Sequence, residues 1–381
     1  MIADCPVGSF LSGGIDSSLI TSILSQNYNN VQTFSIGFDK PEFNEAVQSK
    51  QIANYLKTEH NEYYITKNDV LNIAQKIPDI YCEPFSDSSQ IPTYYLCNIA
   101  SQKVKVALTG DGGDEIFGGY NRYFRIAYLW KKTEKIPIFL RKPILNLLSI
   151  IPLDIWNYLY EFIIFILRTK YKIKFVTEKI QRLLSSLSSS SSKEFYLKFI
   201  SHWDLNREKL LNSRNDNYNE VFKWFESDFF EHTMMAVDTI NYLPNDLLVK
   251  TDRAAMANSL ETRMPFLYPD VYKFAWKLPL NYKIQRGVGK VILRDILSQY
   301  IPTKYFDKPK MGFLIPISDW LKNELKDWAY DILDKKNFQN NNIINYSYAK
   351  NVWEQFLKGK PISPYKIWDI LILQQWLNRN N

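Results

Sequence analysis

The sequence predicts an α/β protein built on a parallel sheet with helices on both faces, followed by a mostly helical C-terminal region. Two observations support this prediction. Short apolar runs alternate with segments of helical periodicity over residues 1–120, and two of the predicted strands end in glycine turns, at 12–14 and 110–113. Strands that alternate with helices imply βαβ units and a parallel sheet.

The predicted elements of this first part follow one another in regular order. Strands are predicted at 8–11, 31–38, 62–65 and 104–108, and helices at 17–26, 44–56, 70–77 and 92–102. The third helix is predicted to stop at Pro78, because proline lacks the backbone N–H that a helix interior requires. In such sheets ligands bind beyond the carboxyl ends of the strands, so Asp16 and Asp114 are expected to face a common site.

Helical periodicity dominates the rest of the chain. We therefore predict three parts: a nucleotide-binding α/β core over 1–120, a mainly helical part over 121–245 and a helical part over 246–381. Helices are predicted at 122–130, 142–151, 154–168, 173–184, 193–199, 207–211, 219–241, 247–259, 290–297, 317–332, 346–358 and 365–378. The serine run at 185–192 is predicted to be an exposed loop.

Composition indicates an ordinary soluble globular chain. The 381 residues are 46% hydrophobic and 23% charged, which suggests about two domains. The three cysteines are odd in number and form no CxxC pair, which favours a reduced, cytoplasmic compartment and argues against a disulfide scaffold. No signal peptide is evident at the start, and no uncharged run approaches the about 20 residues that span a bilayer, so no transmembrane segment is predicted.

The positive charge of the chain is concentrated in one strip. Between Arg122 and Arg182 there are thirteen Lys or Arg residues and four Asp or Glu residues, while the whole chain carries a net charge of +7. We interpret the strip as a solvated helical face and expect no nucleic-acid partner. Binding to a membrane surface or to nucleic acid is the alternative that such a charge excess leaves open.

The segment Ser12–Ser18 has the pattern of an anion-binding turn. A predicted strand precedes it and a predicted helix follows, which points backbone N–H groups and a positive helix end at the same place. Gly13 and Gly14 allow close approach to a phosphate, and Asp16 offers a carboxylate to a metal beside it. A turn that merely caps the helix is the alternative.

Six blocks of the sequence, in order, make it resemble the asparagine synthetase family. The first, SGGIDSS, resembles the pyrophosphate loop of the N-type ATP pyrophosphatases, and LTGDGGDEIFGGY resembles the family signature. The blocks lie at 12–18, 83–89, 108–120, 252–256, 259–267 and 308–313. The resemblance covers only the synthetase domain. It implies a fold of the adenine nucleotide alpha-hydrolase-like type and a carbon–nitrogen ligase that uses ATP and Mg²⁺.

The resemblance also implies site residues. The ATP and pyrophosphate are expected to meet Phe10, Ser12, Gly13, Gly14, Asp16, Ser17, Ser18, Ile36 and Gly110. Asp16 and Asp114 are expected to hold the metal ion. Lys310, with Lys308 as the fallback, is expected to neutralise phosphate charge, and Asp111 is expected to handle ammonia as a general base.

The function implied is the conversion of aspartate, ATP and ammonia to asparagine, AMP and diphosphate through a β-aspartyl-adenylate. Two departures leave the acceptor open: residues 83–102 contain no arginine, and Tyr268 replaces an acidic residue of the family pattern. Another carboxylate, such as a sugar acid of a surface polysaccharide, is therefore an alternative substrate. The six blocks belong to the synthetase domain, and we expect the family's N-terminal glutaminase domain to be absent. A glutaminase partner or a truncated, non-catalytic subunit is therefore also considered.

Overall fold

The computed structural model describes residues 3–151, 155–156, 158, 176–203, 209–212, 222–307, 315–339 and 343–380. Its centre is a parallel sheet of five strands in the order β3-β2-β1-β4-β5. The strands are β1 (Val7–Phe10), β2 (Gln32–Gly37), β3 (Glu59–Tyr64), β4 (Val106–Leu108) and β5 (Glu261–Arg263). The predicted α/β class with a parallel sheet is confirmed.

Helices account for most of the remaining described residues. In chain order they are α1 (Ile15–Asn27), α2 (Ala46–Leu56), α3 (Lys67–Tyr81), α4 (Gln90–Ser101), α5 (Gly113–Phe117), α6 (Asn121–Thr133), α7 (Ile138–Ile150), α8 (Val176–Leu187), α9 (Ser192–Ile200), α10 (Phe230–Ile240), α11 (Leu248–Met256), α12 (Pro269–Lys277), α13 (Leu280–Lys283), α14 (Val291–Ser298), α15 (Ile317–Lys322), α16 (Lys326–Ile332), α17 (Tyr346–Leu357) and α18 (Pro364–Arg379). A short hairpin, β6 (Ile284–Gln285) and β7 (Val288–Gly289), lies between α13 and α14.

Buried hydrophobic clusters cover both faces of the sheet. Phe10 and Ala107 belong to a buried cluster with Cys97 and Ala254. Their chain neighbours Leu11 and Leu108 belong to a second cluster that includes residues of α1, α2 and α14. Because successive side chains of a strand point to opposite faces, these two clusters are the two cores that sandwich the sheet.

The chain divides into two compact units. The first comprises Met1–Phe124 and Asn219–Trp328, and the second comprises Arg125–Tyr218 and Ala329–Asn381. Within the first unit, a buried ion pair joins the two segments: Nη2 of Arg122 lies 2.6 Å from Oδ2 of Asp238. By these residue ranges, the whole sheet and both glycine turns belong to the first unit.

The second unit is helical in its described part. Trp130 of α6 packs against Phe195 of α9, with ring centroids 5.2 Å apart, and Arg141 of α7 donates a hydrogen bond to the carbonyl oxygen of Leu187. The predicted helices at 154–168, 173–184, 207–211 and 219–241 fall wholly or partly outside the described residues. No described helix is long and apolar enough to cross a membrane.

Several elements differ from the sequence prediction. The serine run at 185–192 is not an exposed loop, because α8 extends to Leu187 and Ser186 and Ser189 are fully buried. Helix α3 does not stop at Pro78 but runs to Tyr81, because Pro78 lies in its last turn, where one missing hydrogen bond is tolerated. Strand β5 was not predicted, since Glu261–Arg263 is short and polar. Its neighbour defines it: the Glu261 N–H donates to the Lys105 carbonyl at 2.9 Å, and the Thr109 N–H donates to the Arg263 carbonyl at 2.9 Å.

Candidate active site

The two glycine turns lie side by side at the carboxyl edge of the sheet. The turn 12–14 follows β1 and the turn 110–113 follows β4, and these two strands are neighbours, with Ser9 opposite Leu108. The order of the strands in the sheet reverses at β1. The chain continues from β1 to β2 and β3 on one side, whereas β4 and β5 lie on the other side. A reversal of this kind opens a crevice at the ends of the strands, which is where open α/β sheets bind ligands.

The first turn holds its serine hydroxyl groups close together. Oγ of Ser12 and Oγ of Ser17 are 3.0 Å apart, and the Gly14 N–H donates to Ser12 Oγ at 3.3 Å. Gly13 has a φ of 77°, a left-handed conformation that favours glycine. The residue that caps α1 is Gly14, which has no side chain to occupy the helix N-terminus. The N–H groups of the first turn of α1 thus face the crevice.

The second turn lies so close to the first that its glycines leave no room for side chains. A Cβ atom on Gly110 would lie 2.8 Å from the Asp16 Cβ atom, and one on Gly113 would lie 2.6 Å from Asp16 Oδ1. These glycines therefore allow the Asp16 carboxylate to lie against the start of α5, directly beside Asp114.

Asp16 and Asp114 share one buried cation, Lys290. The Lys290 ammonium lies 2.6 Å from Asp114 Oδ1 and also contacts the Asp16 carboxylate, and the lysine is only 4% exposed. Burial by itself lowers the pKa of Lys290, but the two carboxylates outweigh it and raise the pKa above its ordinary value. The ammonium is therefore fully charged at neutral pH.

Lys290 reaches this position because the hairpin β6–β7 is fixed against the end of α5. The Lys290 N–H donates to the Phe117 carbonyl at 3.2 Å, and a Cβ atom on Gly289 would lie 2.2 Å from the Gly118 carbonyl oxygen. Lys290 itself has a φ of 59°, which is unusual for a residue with a side chain. The only local signal for this residue is its position between a glycine turn and an apolar helix.

The pair of carboxylates fits a divalent metal ion bound together with phosphates. Both are hard oxygen ligands, and the Lys290 ammonium shows that a cation is stable between them. No group of three or more His, Cys, Asp or Glu side chains with metal-binding geometry occurs among the described residues. A metal ion here would need its remaining ligands from phosphate oxygens or water.

Asp111 lies in a second, connected cluster of polar side chains. Its Oδ2 accepts hydrogen bonds from the hydroxyl groups of Thr109 at 2.9 Å and Thr251 at 3.0 Å. The residue before Thr251 is Lys250, a buried lysine whose Nζ lies 2.7 Å from Asp87 Oδ2. The residues that surround Asp111 thus include a cation that the sequence analysis did not single out.

Lys250 and Asp87 form a tightly held pair. Burial raises the pKa of the Asp87 carboxyl, but the Lys250 charge and the hydrogen bonds from Lys250 and Ser89 together lower it to about 2. The Lys250 ammonium also donates to Ser89 Oγ at 2.8 Å. Asp87 and Ser89 belong to the block at 83–89, after which the family pattern has an arginine that residues 83–102 lack. A lysine from α11 places a positive charge beside this block.

Asp246 is expected to make the stability of the fold depend on pH. Burial and the negative charge of Asp87 raise its pKa from 3.8 to about 8, despite the opposing charges of Lys250 and Arg122. The folded chain therefore keeps this proton up to about pH 8, while the unfolded chain loses it near 3.8. The free energy of unfolding must fall as pH rises through this window, by up to about 1.4 kcal/mol per pH unit.

Urea unfolding of Asp246→Asn between pH 5 and 8 tests this expectation. We expect a flatter pH dependence than in the wild type, because the amide does not titrate. Asp295→Asn, which changes an exposed carboxyl on α14, is the matched control and should keep the wild-type slope. Equal slopes for the wild type and Asp246→Asn would contradict the assignment.

Three further predicted site residues, Phe10, Ile36 and Ser18, are buried. Phe10 and Ile36 are buried at the carboxyl ends of β1 and β2, and the ring of Tyr64 lies directly against Gly37. Ser18 is fully buried on α1, and its hydroxyl has no hydrogen-bond partner among the described residues. Lys308 and Lys310 lie outside the described residues.

Residues 1–378 match the asparagine synthase family. The chain belongs to this family. It is 33% identical to asparagine synthetase [glutamine-hydrolyzing] 1 of Bacillus subtilis over 100% of the chain and 57% of that protein. It is 28% identical to a putative asparagine synthetase [glutamine-hydrolyzing] of Mycobacterium tuberculosis, over 99% of the chain and 55% of that protein.

A shorter match reaches a plant member of the family. Asparagine synthetase [glutamine-hydrolyzing] 2 of Oryza sativa is 35% identical over 136 residues, which is 32% of the chain. The chain spans little more than half the length of the bacterial relatives that it matches throughout. The family resemblance seen in the six sequence blocks is thus confirmed, and it covers a synthetase domain.

Proposed function

We propose that the chain catalyses ATP-dependent amide formation, in which aspartate and ammonia give asparagine while ATP is cleaved to AMP and diphosphate. The observation that carries the proposal is the cluster of Asp16, Lys290 and Asp114 at the start of α1. It combines a helix N-terminus, glycine turns and a buried cation, which together suit the triphosphate of ATP. Membership of the asparagine synthase family supports the reaction class.

The phosphate half of the site would work by positioning and charge. The hydroxyl groups of Ser12 and Ser17 and the N–H groups of the α1 N-terminus would hold the leaving diphosphate, with Lys290 as a second source of positive charge. Asp16 and Asp114 would hold Mg²⁺, which neutralises phosphate charge and helps the diphosphate leave. Lys310 is proposed as a further phosphate-binding lysine, and Phe10 and Ile36 as the floor beneath the adenine.

The chemistry would proceed in two steps at one place. In the first step, an oxygen of the aspartate side-chain carboxylate attacks the α-phosphorus of ATP, and the bond from that phosphorus to the diphosphate breaks. In the second step, ammonia attacks the acyl carbon, loses a proton and expels AMP. The protein supplies orientation and electrostatic stabilisation, and it needs no nucleophile of its own.

The acceptor half of the site is assigned to the cluster around Asp111. Its carboxylate would take the proton from the attacking ammonia, and the hydroxyl groups of Thr109 and Thr251 hold it in one orientation. Lys250 would replace the missing arginine as the cation that attracts an acidic substrate. Ammonia could come from solution or from a glutaminase domain or partner.

Pyrophosphate release tests the proposal. The purified chain is incubated with Mg-ATP, ammonium and one carboxylic acid at a time, with aspartate, glutamate and a uronic acid in the panel. We expect release with aspartate and little with the others. Release with the uronic acid alone would move the acceptor to a sugar acid, and no release with any acid would contradict the proposed activity.

Asp111→Asn is expected to separate the two chemical steps. Because Asp111 would act only after the adenylate forms, aspartate-dependent exchange of labelled pyrophosphate into ATP should stay within about threefold of wild type, whereas asparagine formation should fall by about 100-fold or more. Asp295→Asn should leave both rates unchanged. Equal loss of both rates in Asp111→Asn would show that Asp111 serves adenylate formation instead.

A further inference from the structure

A second group of buried nitrogen atoms lies outside the catalytic crevice, around Lys283. This lysine is the last residue of α13, and its side chain is 0% exposed. Its Nζ atom has no hydrogen-bond partner among the described residues. The Nζ atom lies over the ring of Trp276, at 4.6 Å from the ring centroid. A ring face offsets only part of the cost of burying an ammonium group, so the position of Lys283 requires an explanation.

Two further nitrogen atoms are in the same condition: one belongs to the ring that Lys283 Nζ contacts, and the other to His232, whose imidazole the Lys283 charge reaches. Nε1 of Trp276 and Nε2 of His232 are both buried, and neither has a hydrogen-bond partner in the part of the chain that the structure describes. Trp276 belongs to α12 and His232 to α10, so three separate elements contribute to the cluster. An indole N–H and an ammonium can only donate hydrogen bonds, and an imidazole nitrogen donates in one of its tautomers.

Lys283 supplies the positive charge of this cluster. Burial lowers its pKa to about 8, and no carboxylate among the described residues offsets this effect. Burial and the Lys283 charge both lower the pKa of His232. Both pKa values fall, as expected for basic groups that are buried without a neighbouring carboxylate. At neutral pH Lys283 still carries most of its charge, which leaves an attractive place for a negative ion.

We propose that Lys283, Trp276 and His232 form a binding site for a small monovalent anion of halide size. The ligand must be small because all three nitrogen atoms are buried. It must be an acceptor of hydrogen bonds because Lys283 and Trp276 only donate them. Its charge would balance that of Lys283 and remove the cost of burying it.

The location of this anion site connects it to the catalytic crevice. Lys283 directly precedes Ile284, the first residue of the hairpin β6–β7. The Ile284 side chain lies against Gly118, where a Cβ atom would be 2.5 Å from Ile284 Cγ1. The same hairpin ends at Gly289, next to Lys290. A bound anion at the foot of the hairpin would thus help to fix the lysine that contacts Asp16 and Asp114.

Chloride binding to the purified chain tests the proposal directly. The excess linewidth of the chlorine NMR signal is measured as chloride is titrated, and crystals grown in bromide are examined for an anomalous peak beside Lys283 Nζ. We expect saturable broadening and a bromide peak for the wild type. Both should be lost in Lys283→Met and retained in Lys277→Met, which removes an exposed lysine of α12.

The outcomes separate the alternatives. Absence of saturable broadening in the wild type, or its persistence in Lys283→Met, would overturn the proposal. If Lys283→Met does not fold, Trp276→Phe decides, because it keeps a ring and removes only the indole N–H. That variant should bind chloride about tenfold more weakly, and unchanged affinity would overturn the proposal as well.

Discussion

Replacing Lys290 by methionine is expected to lower the free energy of unfolding by about 3 kcal/mol in the absence of metal. The substitution keeps the length of the side chain but leaves Asp16 and Asp114 beside each other without their shared cation. Removing one partner of a buried ion pair typically costs this much, because the remaining charge stays desolvated. Urea unfolding at neutral pH measures the effect.

Magnesium should distinguish this variant from the wild type. If the two carboxylates form a cation site, millimolar Mg²⁺ should restore part of the stability lost by Lys290→Met, since the metal can take the place of the ammonium. The wild type should respond little. Lys277→Met is the matched control and should match the wild type with and without Mg²⁺. An unchanged unfolding free energy in Lys290→Met would contradict the assigned ion pairs.

Asp16→Asn is expected to reduce pyrophosphate release by about 1000-fold or more. An asparagine side chain keeps the shape but loses the negative charge that would hold the metal beside the phosphates, and metal-ion contributions of this kind amount to several kcal/mol. The fold should be little affected, because Lys290 keeps its partner Asp114. Activity should therefore fall much more than stability, in contrast to Lys290→Met.

The control for Asp16→Asn is Asp295→Asn, which makes the same chemical change at an exposed position of α14. Its rate of pyrophosphate release should stay within about twofold of wild type. Both variants are assayed at several Mg²⁺ concentrations, because weakened metal binding predicts partial recovery of Asp16→Asn at high Mg²⁺. A rate close to that of the wild type in Asp16→Asn would show that the pyrophosphate loop acts without this carboxylate.

The central sheet could be predicted because its signals are local. Strands β1, β2 and β4 are short apolar runs, and glycine turns follow β1 and β4, so periodicity and turn chemistry agree there. The pairing of Asp16 with Asp114 at one edge followed from the rule that parallel strands end together. Strand β5 escaped detection because Glu261–Arg263 is formed by pairing with β4 and has no pattern of its own.

The roles of Lys290 and Lys250 could not be predicted, because these lysines come from distant parts of the chain. Lys290 contacts Asp16 across 274 positions of sequence, and Lys250 contacts Asp87 across 163. Neither lysine belongs to one of the six sequence blocks, and most lysines in helical sequences are solvated. Only the tertiary contacts of the hairpin β6–β7 and of α11 bring their ammonium groups to the carboxylates, and such contacts leave no local periodicity.

The most direct test of the proposed reaction follows oxygen atoms from the aspartate carboxylate to AMP. The chain is incubated with Mg-ATP, ammonium and aspartate that carries heavy oxygen in its side-chain carboxylate, and the products are examined by mass spectrometry. Attack of that carboxylate on the α-phosphorus predicts AMP with a single heavy oxygen atom and unlabelled diphosphate. AMP without label, or ADP together with labelled phosphate, would contradict the proposed adenylate.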